Sequence, residues 1–368
     1  MYLTLQTLFD DPNIIKAVID RVQALRLDTI YWQRYLDFEE TKSRIFKVYL
    51  GTVMGVTAGS VIDRNSNKPL RERKSLGTGY GETAYLGDRY QLDNDRLDQL
   101  RELINKFNAQ TTTEGQRAAI NDIVNFIVDD MRQLLLAPHK RMDLVVGDLR
   151  SKGVAKVKAD ESPRNNPNGI SLIDIELPFH FVEPNSTDVQ HFLQYLMNLV
   201  VSLRTQFGTF TKMEMSRKTF IKNIIGSGDF GDFYKQTFAA RNISEIPVAS
   251  ALMSSEVAST VLQSVGLPAI TINEDMVQME DGTFAPCFAD DRISLFTSEK
   301  IGKMRWHEPY EITDPVPGKT YSRSQGGMFV STQRTDEGRF LEYGCEWIPD
   351  IQAPNRIVNI KLETVNAG

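Results

Sequence analysis

The sequence predicts an α+β subunit of elongated, multi-part build, and three observations predict it. Residues 47–93 form a β-prone excursion punctuated by Gly51, Gly55, Gly59, Gly77, Gly79, Gly81 and Gly87. From Gln116 a helical pattern runs on to Gly153, too long for a small globule. The last forty or so residues return to strand-like alternation. With 368 residues, 41% hydrophobic and 24% charged, the chain has an ordinary globular composition and room for two compact units.

In chain order, Asp11-Pro12 reads as a helix start, an acidic cap followed by proline at the first helical position. Ile14, Ile15, Val18, Ile19, Val22 and Leu25 then recur at helical spacing. An aromatic-rich arm, TIYWQRYLDFEETKSRIF, follows over Thr29 to Phe46.

The excursion after it reads as a two-stranded hairpin with a charged tip, DRNSNKPLRERK, which holds five basic and two acidic residues. It has almost no apolar face. Ordering it costs on the order of 60 kcal/mol at roughly 1.5 kcal/mol per residue, and an isolated hairpin is marginal in water. Something outside the hairpin must order it.

Asp95 to Phe107 is a second helix. In the long helix Ile120, Ile123, Val124, Ile127, Met131, Leu134 and Leu135 line one face, Pro138 is expected to kink it, and Gly153 to stop it. ISLIDIELPFHF, after a polar loop, is a strand candidate. Residues from Pro184 to about Thr320 read as a separate α/β lobe. It holds a helix over Val189–Phe207, a strand at Ile270–Ile272, and a hairpin signal, Asp281-Gly282, inside Met276–Phe288. Strands are expected around MFVSTQR, RFLEYGCEWI and RIVNIKLETV.

A net charge of −6 argues against a general nucleic-acid coat. Two cysteines, Cys287 and Cys345, are too few for a disulfide framework and point to a reducing compartment. MYLTLQTLFDD has no basic lead into an apolar stretch, and LMNLVVSL is too short to span a bilayer. The expectation is a soluble intracellular protein.

Candidate chemistry is sparse. IIGSGDFG, Ile224 to Gly231, matches G-x-G-x-x-G. A dinucleotide fingerprint needs a strand before it and a helix after it. Here Phe220, Ile221, Ile224 and Ile225 make a helical face with Ser216 as cap, so Gly226 reads as a helix stop in the left-handed region. Gly77-Thr78-Gly79-Tyr80-Gly81 lacks the lysine and hydroxyl of a phosphate loop. His139, His180, His191 and His307 show no metalloprotease spacing, and the acidic pairs Glu274-Asp275, Glu280-Asp281 and Asp290-Asp291 fit no calcium loop. The two cysteines read as small buried residues, not nucleophiles. The basic tip residues Arg64, Lys68, Arg71, Arg73 and Lys74 have no aromatics between them for base stacking, so pairing with carboxylates of a neighbouring subunit is the preferred reading. No catalytic constellation stands out, and no enzyme, metal or cofactor is expected.

The order and texture of these parts resemble the major capsid proteins of tailed bacteriophages, which have the Hong Kong 97 fold, and within them the major capsid protein E group of lambda-like phages. The resemblance is carried by KPLRERKSLGTGYGETAYLGDRYQLDNDRLDQLR, by RMDLVVGDLRSKGVAKV with ISLIDIELPF, and by ALMSSEVASTVL. GLPAITINEDMVQMEDGTFAPCFADDRISLF, KIGKMRW and FLEYGCEWIPDIQAPNRIVNIKLETV carry the rest. It covers nearly the whole chain, through order more than through any one motif.

The resemblance implies an N-terminal arm (1–46), an extended loop or E-loop (47–93) and a peripheral domain with a spine helix (94–185). It further implies an axial domain (186–320) and return strands of the peripheral domain (321–368). Hexamers and pentamers of one subunit would build an icosahedral head around double-stranded DNA, with loop and arm lying over neighbours. The DNA would be touched weakly and without sequence preference, as suits a mildly acidic subunit. Portal, scaffold and decoration proteins are the further partners implied. The chain would reside in the host cytoplasm before assembly and in the virion capsid after it. Lys68 and Lys74 lie in the loop that carries an isopeptide crosslink in some members, but no asparagine or acid is assigned to such a bond here. The 46 residues ahead of Lys47 are fewer than a fused scaffold needs, so a separate scaffold is expected. Rival readings are an encapsulin-type compartment of the same fold and, from another class, a nucleotide-binding enzyme using Gly226–Gly231.

Overall fold

A computed structural model describes residues 2–25, 30–50, 77–157, 164–166, 175–238, 254–297 and 300–362. The predicted contact residues Arg64, Lys68, Arg71, Arg73 and Lys74 lie outside the described residues.

Helices α1 (Leu5–Asp10) and α2 (Pro12–Leu25) open the chain. Thr4 and Thr7 form a capping box on α1, and the Asp11 side chain accepts from the Asn13 amide at 2.9 Å, as the Asp-Pro start requires. A 3-10 turn (Trp32–Arg34) leads into β1 (Leu36–Glu40). The described parts of the expected N-terminal arm pack on the chain's own sheet. Leu8, Phe9, Ile19, Tyr31 and Trp32 are buried, and the Phe9 and Pro12 carbonyls accept from Thr332 and Ser322 of the chain's own sheet. The physical reason is aromatic packing: Trp32 meets Phe38 edge-on at 4.9 Å between centroids, and Phe38 meets Trp347 at 5.0 Å.

β2 (Ile45–Leu50) and β3 (Gly77–Glu82) pair antiparallel, from Ile45 opposite Glu82 to Leu50 opposite Gly77. This is the base of the expected hairpin. After Thr83 the chain continues as β4 (Ala84–Leu92). Helix α3 (Asn94–Ala109) follows, its N-terminus capped by Asp93 accepting from the Arg96 amide at 2.7 Å.

α4 (Thr113–Lys152) is the long helix, 40 residues, so about 60 Å at 1.5 Å per residue. It runs without interruption through Pro138 and stops at Gly153, whose φ of 74° is the left-handed cap expected.

Short strands β5 (Val154–Ala155), β6 (Ile175–Glu176) and β7 (His180–Val182) precede α5 (Ser186–Gln190) and α6 (Phe192–Phe207). Then come β8 (Lys212–Ser216), the single turn α7 (Arg217–Thr219) and a wider π-helical turn, Phe220–Ile225. They are followed by α8 (Phe230–Phe238), α9 (Ser255–Ser264) and β9 (Ala269–Asn273). β10 (Met276–Gln278) and β11 (Phe284–Pro286) form the hairpin signalled by Asp281-Gly282, with Gly282 at φ 83°. β12 (Arg292–Phe296), β13 (Gly302–His307), α10 (Tyr310–Thr313), β14 (Lys319–Arg323), β15 (Phe329–Thr335), β16 (Gly338–Ile351) and β17 (Ile357–Lys361) complete the chain.

Two sheets organise two cores. The larger runs β1-β13-β16-β15-β14, with β4 on the other side of the long strand β16, and only β1 and β13 are parallel. It packs with α1 to α4 around the first core. The second runs β7-β17-β12-β8-β9 and packs with α6, α8, α9 and the π turn around the second. The sheet alternates strictly there. Met213, Met215, Ile293, Leu295, Val358 and Ile360 enter the second core, while Glu214, Ser294 and Asn359 face the C-terminal end of α4.

Candidate functional site

IIGSGDFG ends a helix and caps another. Gly226 lies at φ −77°, ψ −2°, so the left-handed stop expected from the sequence is corrected. Its amide bonds back to the Ile221 carbonyl at 2.9 Å, a five-residue closure. A side chain there would press on the Lys222 carbonyl, so glycine is needed for close approach and not for positive φ. Beyond it, Ser227 Oγ accepts from the Phe192 amide at 3.1 Å, and the Asp229 carboxylate accepts from the amides of Leu193 (3.4 Å) and Gln194 (2.9 Å). A phosphate cradle uses free amides at a helix N-terminus. Here the loop's own carboxylate occupies the N-terminus of α6.

The other polar candidates are held in packing or pairs. Trp32 Nε1 donates to His139 Nδ1 at 3.2 Å, and burial pushes that imidazole down to about 3. His180 packs against Phe207, and His191 is exposed at the start of α6. Cys287 and Cys345 are fully buried, and burial pushes the Cys287 thiol up to about 12. Glu274 pairs with Arg217, Asp275 with Arg34, Glu280 with Arg141 and Asp290 with Lys218. Among the described residues no group of three His, Cys, Asp or Glu converges as a metal site, and no helix is long and apolar enough to cross a membrane.

The arrangement that stands out is the root of the β2–β3 hairpin. Arg44 sits just before β2 and Thr83 between β3 and β4, and the Thr83 amide donates to the Arg44 carbonyl at 3.0 Å. Glu346, buried on β16, presents one carboxylate oxygen to three groups. The Thr83 hydroxyl donates to it at 3.1 Å, His307 Nδ1 lies at 3.1 Å and Arg44 Nε at 3.6 Å. Thr41 ties the entering chain down through its amide, 2.7 Å from the Trp306 carbonyl. Inside the hairpin, the Phe46 ring lies across Gly81, where a Cβ would come within 2.7 Å of it, and Arg305 of β13 sits over the same ring at 5.8 Å. Arg305 is itself held by Asp350 at 2.8 Å. The hairpin therefore leaves the body through a fixed junction.

β4 continues from β3 into the sheet. Its far side carries no strand among the described residues. It faces an open groove of about 1150 Å³, walled also by α4 around Arg132–Val145 and by β10. Tyr85 and Tyr90 on this strand are exposed large side chains.

The sequence showed the hairpin but not its root. Glu346 stands between the apolar Cys345 and Trp347 in β16. A charge between apolar neighbours is a signal that it meets a partner, but Arg339 and Asp350 of the same strand give the same signal.

No protein-family model matches the chain, and no curated protein does. Solved structures do. A protein of E. coli CFT073 assigned as a prophage capsid protein superposes with TM-score 0.53 at 11% identity, over 96% of this chain and 99% of that one. A phage-related protein of Bordetella bronchiseptica RB50 follows with TM-score 0.48 at 9% identity, over 96% and 97%. The satellite phage P4 procapsid with its size-determination protein gives 0.41 at 8%, over 96% and 91%. The first likeness establishes the fold. The chain is built end to end like that prophage protein, in agreement with the Hong Kong 97 fold class expected from the sequence.

Proposed function

We propose that this chain is the major capsid protein of a tailed phage, which assembles with copies of itself into hexamers and pentamers of an icosahedral head around double-stranded DNA. The observation that carries the reading is a hairpin strand pair that, among the described residues, is held at its root, on a body that shares its fold over full length with an assigned prophage capsid protein. The described part of the hairpin has glycines on one strand and an exposed Ile45 on the other, a poor core of its own. A neighbouring copy supplies the missing surface. A head-to-tail contact of this kind closes into a ring, and obligate interfaces typically exceed about 2,000 Å². The tip residues Arg64, Lys68, Arg71, Arg73 and Lys74 are assigned to the neighbour's carboxylates. Portal and scaffold proteins complete the set of partners, with virion and host cytoplasm as the two locations.

The test is negative-stain electron microscopy and size-exclusion of the full chain beside a variant in which Asn-Gly replaces residues 51–76. Leu50 and Gly77 are directly paired, so a two-residue turn joins them without disturbing β3 or β4. Shells, rings or tubes from the full chain, and a folded subunit that assembles into none of them from the variant, are expected. A full chain that stays monomeric at every concentration and salt would end the capsid reading. A variant that assembles normally would end the role given to the hairpin.

A further inference from the structure

Three features at the hairpin root have no role in the proposal above: a buried carboxylate, the number of groups that converge on it, and where those groups come from. Glu346 is 3% exposed and Thr83 is fully buried. The groups around Glu346 Oε2 come from both chain segments that enter the hairpin, Arg44 on one side and Thr83 on the other, and from the body strand β13 through His307. Glu346 and His307 are direct cross-strand partners, and Glu346 also faces Tyr85 of β4. One oxygen atom is thus the meeting point of the hairpin's two legs and the sheet they leave.

We infer that Glu346 is a clamp that sets the direction of the hairpin before any neighbour is met. The inference rests on the capsid reading only for its consequence in assembly; the clamp itself is a property of the single subunit. Two strands joined to a body at one end pivot about that end unless both legs are fixed. Backbone bonds at Thr41 and Thr83 fix position. The ladders of β1 on β13 and of β4 on β16 reach only to Glu40 and Ala84, so beyond them the strand pair can still tilt against β16. The Thr83 hydroxyl and the Arg44 guanidinium, drawn to the same carboxylate from the two legs, remove that freedom. The buried hydrogen bond from Thr83 is the strong one, and the half-exposed Arg44, shared with Glu82, adds a weaker ion pair. Leaving the buried carboxylate without its donor carries the desolvation cost, so the tilted alternatives are disfavoured. A hairpin already aimed loses less freedom when it binds, which is how preorganisation raises affinity.

The experiment compares the full chain with Glu346→Ala, Glu346→Gln and the near-isosteric Thr83→Val, held below the concentration at which it associates. Hydrogen exchange is followed over residues 41–47 and 81–85, and over α4 as an internal control. Exchange about tenfold faster or more is expected at the root in Glu346→Ala, the scale set by losing one charge-assisted hydrogen bond. A smaller change is expected in Thr83→Val, and partial rescue in Glu346→Gln, whose amide oxygen still accepts from Thr83. The rate over α4 stays where it is, whereas a general loss of fold would raise it as well. Unchanged root exchange in both Glu346→Ala and Thr83→Val overturns the clamp. Fast root exchange together with normal shells overturns its part in assembly. A wild-type chain that forms no shell removes the capsid reading and leaves the clamp to be decided by exchange alone.

Discussion

Trp32 meets helix α4 through two titratable side chains one turn apart. Its backbone amide donates to Asp143 at 2.9 Å and its indole N–H to His139 at 3.2 Å. Burial raises Asp143 to about 7, against the pull of the Trp32 amide, and lowers His139 to about 3. The two signs oppose. Asp143 holds its proton more tightly folded than unfolded, so its stabilisation is complete below about pH 4 and is lost as pH rises towards 7. His139 resists its proton in the fold, so its contribution is present above about pH 6.5 and is lost as pH falls towards 3. Between about pH 4 and 6.5 the two slopes largely offset. Asp143→Asn should leave a stability that climbs with pH, and His139→Gln one that falls, each by up to about 1.4 kcal/mol per pH unit. Urea midpoints at three pH values decide it; variants that keep the wild-type slope would show that neither group titrates as described. At this scale the sequence was legible where the chemistry is local. Pro12 and Gly153 act where they stand, whereas the aromatics of residues 30–46 read the same in an arm as in a core.

Helix ends show how far local signals carry at the scale of elements. The helix start at Asp11-Pro12, the turn at Asp281-Gly282 and the stop of α4 at Gly153 were all readable, because each depends on residues within a few positions. The cap of α6 was not, since Ser227 and Asp229 reach it from 35 residues downstream or more. That is why a glycine motif suggestive of phosphate turned out to be a capping loop. Asp229→Ala should lower stability by about 1 kcal/mol, with Asp229→Asn close to wild type, read from urea midpoints. No loss in the alanine variant would mean that the carboxylate does not support the helix. The first helix and the π turn were missed for a similar reason. The capping threonines of α1 are weak signals, and a π turn answers to packing more than to propensity.

The two cores meet across a polar seam that no spacing in the chain announces. Arg150, fully buried at the end of α4, bonds Glu214 at 2.6 Å, and Tyr35 and Asn273 hold the same carboxylate at 3.0 Å each. Tyr35 and Phe296 flank the guanidinium. Burial works against the charge of Arg150, but Glu214 and the neighbouring tyrosines keep its pKa above the usual arginine value. Removing one partner strands the other, so Glu214→Met should cost about 3–5 kcal/mol and the double variant with Arg150→Met much less. The three tryptophans, Trp32, Trp306 and Trp347, all belong to the first core or pack on it, so fluorescence follows that core while circular dichroism follows both. In wild type the two curves should coincide. In Glu214→Met the dichroism should fall first as the second lobe comes loose, and coincident curves in that variant would mean the seam does not couple the cores. The hairpin root follows the same logic. Its groups stand at positions 44, 83, 307 and 346, so only the folded chain shows that they share one oxygen.

The run of β3 through Thr83 into β4 also has a mechanical side. A tug on the hairpin along its length passes straight down residues 77–92 into β16, where nine cross-strand pairs lie across the load. Strands drawn lengthwise share a force across all their bonds at once, whereas strands peeled from one end give way a rung at a time. A subunit joined to its neighbours this way would carry tension through the centre of its larger sheet, leaving the second lobe outside the line of force.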